Sequence, residues 1–91
     1  MKHFNEPAFM EVVKSGNIIL RHYCEWLFGS PSYGASIFRM LERGWNNSMN
    51  ADAACDFPET YKMLERHYAG DPELVELQKK LNVRDKEQTY A

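Results

Sequence analysis

Three histidines (His3, His22, His67) and two cysteines (Cys24, Cys55) are the residues that could ligate a metal or pair a nucleophile with a base. Their spacing speaks against both chemistries. The chain has no Cys-x-x-Cys and no two histidines four apart. His22 and Cys24 stand two apart, so on a helix they point to different sides and do not share a metal. No local signature joins a Ser or Cys to a His and an orienting acid. Asp and Glu number 13, but they are scattered over polar positions, whereas an acid–base pair needs two that converge. Arg21 is the one base in an otherwise apolar stretch, and Glu25 four residues on gives it the spacing of an ordinary helix salt bridge. The expectation is a chain with no catalytic, cofactor-binding or metal-binding residues.

Binding chemistry is the alternative to catalysis. Lys and Arg number 11, so the net charge is -2, which argues against a basic nucleic-acid binder and equally against a carboxylate-dense DNA mimic. A nucleic-acid reading would use Arg39, Arg43, Lys79, Lys80 and Arg84, with Asp85 and Glu87 diluting the last group. A helix-turn-helix does not fit, because the stretch from Gly44 to Asp56 exceeds the three- or four-residue turn of that motif. That stretch carries Trp45 and Met49 among Asn46, Asn47 and Asn50. An apolar anchor among adaptable polar groups is how binding loops are built, and with Arg39 and Arg43 these residues are candidates for protein binding. The competing reading has Trp45 closing off the core and Ala51 to Cys55 forming one short helical turn.

The elements that would position these residues are helices. With 91 residues, 44% of them hydrophobic, the chain is a single domain rather than a disordered segment, and no apolar run is long enough to cross a membrane. Pro7, Pro31, Pro58 and Pro72 each follow a helix-capping residue directly or one place later, a helix-start signal. Gly29, Gly44 and Gly70 sit where helices should stop. Asp56 with Glu59 has capping-box spacing. The boundaries read as helices of about Glu6 to Phe28, Pro31 to Arg43, Phe57 to Ala69 and Pro72 to Leu81, with Ser15-Gly16-Asn17 a natural kink in the first. The expected fold is all-α: a small compact bundle of four helices, five if the first breaks at Gly16. Residues 1–81 form the bundle domain and 82–91 a polar C-terminal tail. An echo also stands out, since Phe38 to Trp45 resembles Tyr61 to Tyr68 at an offset of 23 residues. It reads either as two amphipathic helices converging on one role or as an old duplication.

The faces carry the functional expectation. Ile18 to Phe28 is apolar nearly all round, so it is either the central helix or partly covered by a second copy or a partner. Ile18, Ile19 and Trp26 are the candidate oligomer-interface residues. Met1 to Pro7 shows no apolar stretch of a secretory signal, giving the expectation of a cytoplasmic protein with free thiols. Together these features point to a non-enzymatic protein-interaction module. It would be a small regulator or inhibitor docking on a larger protein, acting alone or as a homodimer. The alternatives are the nucleic-acid binder above and, third, a small all-α enzyme or ligand carrier.

Overall fold

A computed structural model of the chain describes residues 5–47 and 51–83, the side chains of 46, 47 and 51–53 excepted. Among these residues there are six helices: α1 (Glu6–Lys14), α2 (Ile18–Phe28), α3 (Tyr33–Asn47), α4 (Ala51–Asp56), α5 (Pro58–Ala69) and α6 (Pro72–Leu81). This corrects the expected four or five.

Two local causes account for the extra helices. Gly16 takes φ +78°, a left-handed conformation that no helix continues through, so the first stretch divides into α1 and α2. Asn17 then restarts the chain as a helix cap, its Oδ1 accepting from the Leu20 backbone N–H at 2.9 Å. The second extra helix is α4, where Ala51, Ala53 and Ala54 supply the strongest helix-forming residue. Its last residue is Asp56, so the expected Asp56–Glu59 capping box is not made, and α5 begins at Pro58 after Phe57 with no side-chain cap.

Two boundaries also move on α3. Ser32, not Ser30, caps it. The Ser32 hydroxyl accepts from the Ala35 N–H at 3.2 Å and donates to Glu25 Oε1 at 3.1 Å, tying the start of α3 to the last turn of α2. At the other end Gly44 does not stop the helix. It is buried inside α3, and the helix continues to Asn47. A helix-interior glycine costs only about 1 kcal/mol relative to alanine, which tertiary packing offsets. The remaining caps stand as read. Asn5 and Asp71 accept from Ala8 and Glu73 N–H groups at 3.2 and 2.9 Å, and Gly29 and Gly70 close α2 and α5 in left-handed conformations.

Of the two explanations for the all-round apolar helix, the central one holds for most of it. α2 packs on α1, α3 and α5. Tyr23, Cys24, Trp26 and Leu27 are buried by the chain itself, with Phe38 and Leu41 of α3 and Leu64 of α5 beside them in the core. A smaller cluster of Val12, Cys24 and Leu81 binds α1, α2 and the end of α6. There the Asn5 N–H also donates to the Leu81 carbonyl at 3.3 Å. Val83, which follows α6, packs against both clusters. The echoing segments fall on α3 and α5, which pack on each other.

The approach of α2 to α3 depends on Gly34. A Cβ built there would come under 3.0 Å from the His22 ring, closer than real side chains stand. The imidazole occupies the space that a side chain at position 34 would need.

Candidate functional site

The residues singled out in the sequence are distributed over several surfaces. Trp45 does not stand out as a lone anchor. It is half-buried against the core, its ring centroid 5.2 Å from both Tyr61 and Tyr68 of α5. Asn46 and Asn47 form the last residues of α3, while Met49 and Asn50 lie outside the described residues. The Arg39 guanidinium donates to the Ser30 carbonyl, closing the end of α2, and Arg43 is exposed. Lys79 lies 3.9 Å from Glu76 on α6, Lys80 is exposed beside it, and Arg84 lies outside the described residues. α3 and α6 both pack on α5, so these cations are divided between two helices rather than gathered on one.

The three interface candidates separate. Ile18 is 51% exposed at the first position of α2, Ile19 is half-buried, and Trp26 is 1% exposed. Trp26 is therefore removed from the oligomer-interface set, since an indole inside the chain's own core has no surface to offer a second copy.

Ile19 leads to a feature the sequence did not disclose. The start of α2 forms a groove with α5 and α6. One part, about 440 Å³, has Leu20, Met63, Leu74 and Leu77 as its floor, with Arg66, Glu73, Glu76 and Lys80 along its rim. A neighbouring part of about 390 Å³ shares Asn17, Met63 and Arg66 and adds Ile19, Glu59 and Lys62. The floor residues are buried or half-buried, and the rim acids and lysines are exposed. Each floor residue reads in the sequence as the apolar face of its own helix. The one available signal was Met63, which sits at the edge of α5's narrow apolar stripe.

Arg66 fixes the corner between α5 and α6. Its Nε donates to Asp71 Oδ2 at 3.0 Å, and its other arm donates to Glu73. The Arg66 hydrogen bond, seconded by the Glu73 backbone N–H, holds the Asp71 carboxyl below its ordinary range. The same two acids push the Arg66 guanidinium further up. These bonds link Arg66 and Glu73 of the groove's rim to each other.

Behind it lies a polar knot linking three helices. The Gln78 amide donates to the Tyr23 hydroxyl at 3.1 Å, and the phenol shares a hydrogen bond with His67 Nδ1 at 2.8 Å. Burial pushes the Tyr23 phenol up to about 12, the Gln78 bond opposing it. His67 also meets Trp26 edge-on, with centroids 5.1 Å apart. These contacts make His67 a core-closing residue of the last turn of α5.

Chemically the groove offers an apolar floor flanked by charges of either sign. No serine, cysteine or histidine stands among its lining residues. Among the described residues, no group of three or more His, Cys, Asp or Glu converges as a metal site would require. Cys24 is buried and Cys55 exposed, both as free thiols. No helix among the described residues is long and apolar enough to cross a membrane. Comparison with known proteins finds no matching family model, no matching curated protein and no matching solved structure.

Proposed function

We propose that this chain is a non-enzymatic protein-interaction module, a small regulator or inhibitor that docks on a larger protein in the cytoplasm. The groove between α2, α5 and α6 carries this reading. Its apolar floor of Leu20, Met63, Leu74 and Leu77 lies beneath a rim of Lys80 and Arg66 against Glu73 and Glu76. An apolar centre inside a polar rim is the anatomy of a protein–protein interface. Ile18, half exposed, stands in the chain between Asn17 and Ile19, which line the groove. The exposed free thiol of Cys55 suits a reducing compartment. The occupant that fits is an apolar stripe of a partner helix, its flanking charges paired with the rim.

The test is site-specific photo-crosslinking from position 18 and from position 43 in host lysate treated with nuclease. Covalent capture of one larger protein from position 18 and not from 43 is expected. That capture should be lost in Leu77→Lys, whose helical circular dichroism should match the parent's. Capture from position 43 alone would overturn the groove as the docking place. Capture that depends on intact nucleic acid would replace the reading with the nucleic-acid one. Light scattering settles the homodimer form, which now rests on Ile18 and Ile19: a dimer that Ile18→Glu converts to monomer supports it, and a monomer at high concentration rejects it.

A further inference from the structure

Among the described residues four large hydrophobics are exposed: Met10, Ile18, Tyr33 and Tyr68. Of these, Ile18 adjoins the groove in the chain, with Asn17 before it and Ile19 and Leu20 after it as lining residues. Its place is fixed. Ile18 opens α2, and the Asn17 side chain caps that helix by accepting from the Leu20 N–H at 2.9 Å. The groove's rim holds three acids and three bases, Glu59, Glu73 and Glu76 against Lys62, Arg66 and Lys80. Arg66 and Glu73 pair with each other, and Glu76 has Lys79 at 3.9 Å. Glu59, Lys62 and Lys80 make no ion pair within the described residues.

We propose that the groove receives Ile18 of a second copy of this chain, the two copies meeting about a two-fold axis so that each isoleucine enters the other's groove. Such an interface uses the same patch on both subunits, so the patch must complement itself. Ile18 stands beside the recess and is not one of its lining residues. A two-fold axis between projection and recess therefore brings each to the other. The charges agree with this occupant. A rim of one sign would repel its own copy, whereas this rim sums to zero. Across the two-fold, Glu59 of one copy can meet a rim lysine of the other. A strongly charged partner gains little from so balanced a rim. The inference rests on the groove as a docking place and adds its regulation. A groove filled by a second copy is closed to the larger protein, so self-association and docking exclude each other, and the chain's own concentration sets how many grooves are open.

The test uses the purified full chain alone. Sedimentation over a concentration series should show a monomer–dimer equilibrium. Ile18→Glu, at an exposed position, should keep the parent's circular dichroism and raise the dimer dissociation constant at least about tenfold, since each dimer loses two buried isoleucines. Leu77→Lys should do the same from the groove side. Mixing the two variants should restore a dimer. One isoleucine then still finds an intact groove, and at the other contact the introduced carboxylate meets the introduced ammonium. Should Leu77→Lys fail to fold, a photo-crosslinker at position 18 reads the same contact in a mixture of isotope-labelled and unlabelled chains. Crosslinks between labelled and unlabelled copies should map to α5 and α6. A monomer at high concentration, a dimer unaffected by Ile18→Glu, folded variants that stay monomeric when mixed, or crosslinks mapping elsewhere would overturn the proposal. A monomer leaves the groove open to a larger protein, whereas a groove-mediated dimer that captures nothing from lysate keeps this inference and removes that reading, so the two fail separately.

Discussion

Replacing Gly34 with alanine tests how tightly α2 and α3 are joined. The new methyl would overlap the His22 ring, whereas non-bonded carbons settle at about 3.5–4.0 Å, so ring or helix must move by at least about 1.5 Å. Overpacking of this kind costs about 1–3 kcal/mol. Alanine's better helix propensity returns at most about 1 kcal/mol, less in the first turn where Gly34 sits. The net expectation is a loss of about 1–2 kcal/mol, which for a domain of this size lowers Tm by about 4–8 °C per kcal/mol. Urea unfolding followed by circular dichroism measures it. The decisive comparison is a double-mutant cycle. In a His22→Ala background the methyl has space, so Gly34→Ala should become neutral or stabilising, with a coupling energy of about 1 kcal/mol or more. A coupling below about 0.5 kcal/mol would show that the ring swings away without cost, and the reasoning would be wrong.

Other consequences follow from the core and the corner. Native protein should yield one fast-reacting thiol, Cys55, because burial pushes the Cys24 thiol up to about 12 and hides it; a second equivalent should appear only in denaturant. Equal labelling rates would contradict the placement of Cys24. Tyr23→Phe removes the hydroxyl that joins Gln78 to His67 and should cost about 1–2 kcal/mol in urea unfolding, against little change for Tyr33→Phe on the exposed start of α3. Arg66 lowers the Asp71 pKa, so this carboxylate stabilises the fold above its unfolded pKa and the contribution fades as pH falls through the lower, folded one. Asp71→Asn keeps a capping oxygen but not the charge, so its urea midpoint should fall less steeply on acidification than the parent's. Parallel pH profiles would remove Asp71 from the acid response.

Local signals were legible in the sequence, and signals that depend on a neighbour were not. Asn5 and Asp71 cap helices because a short polar side chain can accept the orphan N–H groups of its own first turn, whatever the rest of the chain does. Gly29 and Gly70 act within their own backbone in the same way. Gly44 has the same chemistry and the opposite outcome. Carrying α3 one turn further puts Trp45 between Tyr61 and Tyr68, and that contact is made across 16 and 23 residues of chain. Ser30 and Ser32 flank Pro31 as equal candidates for a cap; Glu25, held at the end of α2, decides in favour of Ser32.

The same division explains the sites. Ile18 to Phe28 reads as either the central helix or a helix with one side covered by a second copy or a partner. The chain covers Tyr23, Cys24, Trp26 and Leu27 itself because α1, α3 and α5 close around α2, and only the first turn is left over. What the chain leaves exposed there is Ile18, while the half-buried Ile19 lines the groove. Leu74 is buried and Leu77 half-buried although both stand on one apolar stripe of α6. Helical periodicity reports which residues avoid water, and it cannot say whether the cover comes from this chain or from another. The Arg66 bonds to Asp71 and Glu73 set α6 against α5 at a fixed corner, and the groove is the space that corner leaves open above Met63 and Leu77. A partner stripe docking there would therefore meet a preformed wall, which reduces the ordering cost of binding.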